Sequence, residues 1–175
     1  MRDRYVVDTN VLIAASAADP ISPADIDATP DDPDLRKVVW EWLDCFVNSK
    51  ARLVLDLDLK IYDEYCNKLD HSDFGRQAVM RKWDTASVDN VLVDYDENGD
   101  GVLPEALKPV VHDLADRKIV AAALASHSQF GEGCVAFAGD TDWHGWEADL
   151  LAHHLILEPI IEEWSRQKYA EKEAR

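Results

Sequence analysis

The most constraining feature of this chain is a set of short, unbroken apolar runs that stop on an aspartate. Tyr5-Val6-Val7 ends at Asp8, Leu53-Val54-Leu55 at Asp56, and Cys134-Val135-Ala136-Phe137-Ala138 at Gly139-Asp140. A strand buried on both faces reads as a continuous apolar run rather than an alternating one, and such strands occur in parallel sheets covered by helices. Between the runs the apolar spacing changes to helical. Val11 to Ala18 predicts a short helix capped by Thr9 or Asn10, and Leu35 to Asn48 a longer one. Further helices are expected over 59–69, 74–83, 104–127, 146–153 and 160–173, with strands over 88–93 and 155–157. The expected fold is α/β, a three-layer α/β/α sandwich around a mainly parallel sheet. In such sheets the ligand crevice lies beyond the carboxyl ends of the strands, where the aspartates fall.

The 175 residues suit one domain, 1–175. Residues 17–34 break the pattern with six aspartates, four prolines and no basic residue, and are expected to form a mobile acidic insert. The net charge of −17 excludes a basic nucleic-acid coat protein and a polybasic membrane binder. No apolar run approaches the roughly 18 residues of a membrane span. The three cysteines (Cys45, Cys66, Cys134) form no CxxC and read as buried thiols of a reducing compartment, so a cytoplasmic location is expected.

Two further acids, Glu64 and Asp116, fall on the helices that follow strands, with Asp113 one turn before Asp116. Parallel strands bring these groups to one edge. Two carboxylates about 4 Å apart repel by about 4 kcal/mol at an effective dielectric near 20, so several stay ionised together only if a cation compensates them. Hard oxygen ligands without cysteine or paired histidine favour Mg²⁺ or Mn²⁺. That is the equipment of metal-assisted phosphodiester hydrolysis.

Val6-Val7-Asp8-Thr9-Asn10-Val11-Leu12 resembles the opening motif of PIN-domain nucleases. The resemblance extends to Glu64, to Asp116-Arg117-Lys118-Ile119-Val120-Ala121-Ala122-Ala123-Leu124, and to Phe137-Ala138-Gly139-Asp140-Thr141-Asp142-Trp143, in the family's order. It implies a PIN-like fold and an endoribonuclease using one or two Mg²⁺ or Mn²⁺ ions, with Asp8, Glu64, Asp116 and Asp140 as catalytic metal ligands. Asp142 would be a further ligand or a support, and Thr9, Asn10 and Asp113 would be supporting residues. RNA is then the substrate. The family includes toxins of toxin–antitoxin pairs, whose antitoxin would present an arginine to the acidic groove. Ala138 stands where threonine or serine is common in the family. Arg76, Arg81 and Lys82, and separately Arg117 and Lys118, are expected to form a basic rim.

The alternative is a non-catalytic PIN-like module that binds a basic partner protein. A second acidic segment, Asp94 to Glu105, places Asp94, Asp96, Asn98, Asp100 and Glu105 in a pattern that resembles a calcium loop. Gly101 occupies its hydrophobic eighth position and a strand precedes it, so it reads as a tight acidic loop in preference to a Ca²⁺ site. Six tryptophans read as core and interface anchors, compatible with a homodimer.

Overall fold

Five strands form one sheet in the computed structural model, which describes residues 1–175: β1 (Arg4–Val7), β2 (Arg52–Asp56), β3 (Val88–Val91), β4 (Gly133–Phe137) and β5 (Leu155–Pro159). Their order is β3-β2-β1-β4-β5, and every neighbouring pair is parallel. Seven helices complete a three-layer α/β/α sandwich: α1 (Thr9–Ala17), α2 (Pro33–Asn48), α3 (Lys60–Lys68), α4 (Phe74–Asp84), α5 (Arg117–Phe130), α6 (Asp142–Ala152) and α7 (Glu162–Glu173). No helix is long and apolar enough to cross a membrane.

β4 is buried along its whole length, as its apolar run requires, and β1 is buried from Tyr5 onward. The chain runs outward from β1 to β3 and then returns to β4 and β5, so the strand order reverses between β1 and β4. At such a reversal the connections leave the sheet in opposite directions and open a crevice at the carboxyl ends. The Asp8 N–H donates to Ala136 O at 2.9 Å, tying the two strand ends together there.

Six details differ from the sequence expectation, the first being that β3, expected over 88–93, ends at Val91. α1 is capped by Asp8 itself: its backbone is extended and its Oδ1 accepts the Asn10 N–H at 3.3 Å. The expected helix over 104–127 starts only at Arg117. Leu107 and Val111 have helical spacing and are buried, but they sit in a run of turns. The Arg117 guanidinium takes the carbonyls of Lys108 (3.0 Å) and Val111 (3.1 Å), which a helix would have bonded internally. α6 begins at Asp142, one turn earlier than expected, and β5 runs on to Pro159. Of the cysteines, only Cys134 is buried; Cys66 is half-buried and Cys45 exposed, and all three are free.

The acidic insert is seated at its far end. Arg36 donates to the carbonyls of Ala28 and Pro30, both of which are buried. Thr29 packs so closely on Gly139 that a Cβ there would strike its carbonyl oxygen. Among the tryptophans, Trp143 and Trp146 are core, in a T-shaped contact at 5.2 Å between ring centroids, while Trp83 is exposed.

Candidate active site

Asp8 follows β1 and Asp140 lies just beyond β4, so these two carboxylates flank the reversal of strand order. Asp116 immediately precedes α5, and Glu64 lies in the middle of α3. All four line one open cleft of about 600 Å³, together with Thr9, Asn10 and Asp113. The sequence expectation that these acids share an edge is met. Neither Asp116, which is the N-cap of α5, nor Asp113 lies on the helix expected to carry both. Asp113 is exposed in the preceding turn, where it accepts the Ala115 N–H at 2.8 Å.

Asp8 is 3% exposed, and its Oδ2 makes no well-formed hydrogen bond, although the unpaired indole N–H of Trp143 lies close enough to favour the anion. Asp116 Oδ2 is likewise buried and unpartnered. An anionic oxygen without a donor is costly to keep out of water. Burial first, then the charges of Asp140 and Glu64, push the Asp8 carboxyl up to about 7, against the pull of the Asn10 N–H and of the Trp143 indole. Burial and the charges of Asp8 and Asp140 push Asp116 higher, to about 9. Asp140 is also raised, mainly by burial, although its Oδ1 accepts the Asp142 N–H at 2.8 Å. The three aspartates thus form an electrostatically frustrated group that protons relieve when no cation is present.

The other two predicted acids already have cations. Lys118 Nζ lies 2.6 Å from Glu64 Oε2, and the Thr9 hydroxyl donates to Glu64 Oε1. Asp142 stands outside the cleft lining, in the first turn of α6, where Lys172 from α7 bonds its Oδ1 and His112 Nε2 lies 3.6 Å from its Oδ2. As the side chains stand, no group of three or more His, Cys, Asp or Glu residues is set to hold a metal ion. The donor chemistry of the three aspartates, all hard oxygens with two of them orphaned, nonetheless fits Mg²⁺ or Mn²⁺.

Asp56 ends its strand in the same manner but serves the fold. Fully buried, it accepts the N–H groups of Lys60 and Ile61, each at 2.9 Å, and so caps α3. The 94–105 loop closes on itself. Asp96 Oδ1 accepts from Asn98 (2.9 Å) and Asp100 (3.0 Å), Tyr95 bridges to Gly101, and Glu105 pairs with Lys108. These backbone bonds, that of Asp100 foremost, lower the pKa of Asp96.

Of the expected basic rim only Lys118 lines the cleft, and Arg81 is exposed outside its lining. Lys82 is buried, with its ammonium on the carbonyls of Ala51 (2.6 Å) and Ser49 (3.1 Å), and desolvation pushes its pKa down to about 8. Arg76 turns to the Leu69 carbonyl (3.3 Å), and Arg117 and Lys118 are engaged as described. The cleft instead draws Lys60, Asp63, Asn67 and Lys68 from α3, which sequence reasoning missed. Lys60, Asn67 and Lys68 stand three or four residues from Glu64, and that spacing was the available signal; Asp63 is its immediate neighbour.

Comparison of the chain with protein-family models, with curated proteins and with solved structures returned no match.

Proposed function

We propose that the chain is a divalent-metal-dependent endoribonuclease working at the Asp8, Asp116, Asp140 and Glu64 cleft. The carrying observation is the pair of buried, unpartnered oxygens, Asp8 Oδ2 and Asp116 Oδ2, in a cleft at the reversal of the strand order. Asp8, Asp116 and Asp140 would hold Mg²⁺ or Mn²⁺, and Glu64 would join them on leaving Lys118. A bound ion of this kind supplies an activated water and offsets charge on the scissile phosphate. The chain's own part is to orient and to exclude. The Asn10 N–H fixes one oxygen of Asp8, the Thr9 hydroxyl fixes one oxygen of Glu64, and the Asp142 N–H fixes one oxygen of Asp140. Each leaves the second oxygen of its carboxylate to the cleft or to a cation. The resemblance to PIN-domain nucleases supports RNA as substrate, and a role as the toxin of a toxin–antitoxin pair belongs to the same reading.

A second reading, a PIN-like module that binds a partner without turnover, is favoured by one observation. Lys118 and Lys172 already neutralise Glu64 and Asp142, so two of the expected ligands have internal counter-ions. Cleavage of a mixed-sequence RNA with Mn²⁺, with EDTA, and by Asp8→Asn separates the two. The nuclease reading expects cutting that requires the metal and is lost in a folded mutant. Activity retained by pure Asp8→Asn, or none from the unmodified chain with Mn²⁺, overturns it.

A further inference from the structure

α3 presents Lys60, Glu64 and Lys68 at intervals of four residues, which places them along one side of the helix. At 1.5 Å rise per residue, each lysine lies about 6 Å along the axis from Glu64, one on either side. Both line the cleft. Neither ammonium has a carboxylate partner, whereas Lys108, Lys118, Lys168 and Lys172 all do. In a chain of net charge −17, two unpaired cations beside the acid group are a marked exception.

The loop that resembles a calcium site has a place in the same arrangement. Lys60 Nζ lies 3.7 Å from the centroid of the Tyr95 ring, a cation–π contact that holds the ammonium. Tyr95 is in turn pinned by its bridge to Gly101. Gly99 of that loop also lines the cleft, and a Cβ there would come 3.5 Å from Lys60 Nζ.

We propose that α3 is the track for the substrate backbone: Lys60 and Lys68 bind the phosphates flanking the one held at the acids, with Tyr95 positioning Lys60. This rests on the ribonuclease reading. The spacing of about 6 Å is comparable to that of successive phosphates along an extended strand, so the track suits single-stranded RNA. Asp63 and Asp113 also line the cleft, and they restrict the anionic contact to the two lysine positions.

The test uses the full chain carrying Asp8→Asn, so that RNA binds without being cut, and a short fluorescein-labelled single-stranded RNA of mixed sequence. Anisotropy titrations with Mg²⁺ over a range of salt give the slope of log K against log salt. Adding Lys60→Gln and Lys68→Gln should flatten that slope by about 0.7 per lysine. Adding Lys50→Gln and Arg81→Gln, the same charge loss at exposed positions outside the cleft lining, should leave it unchanged. An unchanged slope in the cleft double mutant, or an equal change in the control pair, overturns the track while leaving the nuclease reading intact. No RNA binding by Asp8→Asn, with no cutting by the unmodified chain, overturns the nuclease reading itself.

Discussion

Replacing Asp8 with asparagine should stabilise the metal-free protein at alkaline pH. The Asp8 carboxyl titrates near 7 in the native state against an ordinary value of 3.8. The native state therefore retains protons that the unfolded chain releases, and stability is greatest below about pH 4 and falls as pH rises through 7. A shift of about three units, at 1.36 kcal/mol each, caps the cost of the ionised form at about 4 kcal/mol. Asp116 and Asp140 take up part of the same strain by keeping their own protons, so about 2 kcal/mol is the expected gain for Asp8→Asn in EDTA at pH 8. Asparagine caps a helix as well as aspartate does, so the bond to the Asn10 N–H survives. In a domain of this length that gain raises Tm by about 4–8 °C. At pH 3, where the carboxyl is neutral in the unfolded chain as well as in the native state, the two proteins should melt within about 2 °C of each other. Saturating Mn²⁺ should reverse the order, since an ion at 100 times its Kd for the unmodified chain stabilises that chain by about 2.7 kcal/mol and the mutant, which keeps Asp116 and Asp140 but lacks one ligand, by less. Thermal unfolding by circular dichroism in these three conditions is the assay. A mutant less stable than the unmodified chain at pH 8 in EDTA, or a gain of equal size at pH 3, would refute the reasoning.

Two other substitutions separate the roles of neighbouring residues. Lys118→Met frees Glu64 from the ammonium 2.6 Å away, and Mn²⁺ binding measured by calorimetry should tighten by about tenfold. Asp56→Ala removes the acceptor of two N–H groups at the start of α3 and should cost about 1–2 kcal/mol in denaturant unfolding, with the heat of Mn²⁺ binding unchanged.

The strands were legible because burial on both faces leaves a plain trace, an apolar run with a polar stop. The edge strand β5 was read short: beyond Leu155 its residues are only half-buried, and its apolar signal ends at Leu157 before the ladder does at Pro159. The segment before α5 was misread for the opposite reason. Leu107, Val110, Val111 and Leu114 recur at intervals of three and four, yet only Leu107 and Val111 reach the core, and Pro109 interrupts the ladder such a helix needs. The acids at the site were legible as positions, since the strand ends and α5 fix them. Their partners were not. Lys118 meets Glu64 across 54 residues and Lys172 meets Asp142 across 30, so both pairings depend on how helices dock on the sheet.

These pairings decide what the cleft attracts. The chain commits Lys118 and Lys172 to Glu64 and Asp142, and it gives Asp8, Asp116 and Asp140 no ion pair; only the charge of Lys172, bonded to Asp142, reaches Asp140. The fold therefore concentrates its uncompensated negative charge on the three aspartates at the reversal of the strand order, where two oxygens also lack donors. An apolar ligand leaves that deficit in place, and an anion deepens it. A proton or a hard cation cancels it, and the raised carboxyl pKa values mean that protons hold the position at neutral pH in the metal-free protein. A phosphate can approach this group only behind such a cation. The remaining attraction for a polyanion must come from positive charge at its border, which in this chain is the pair on α3, Lys60 and Lys68, together with Lys118 once Glu64 turns to the cation.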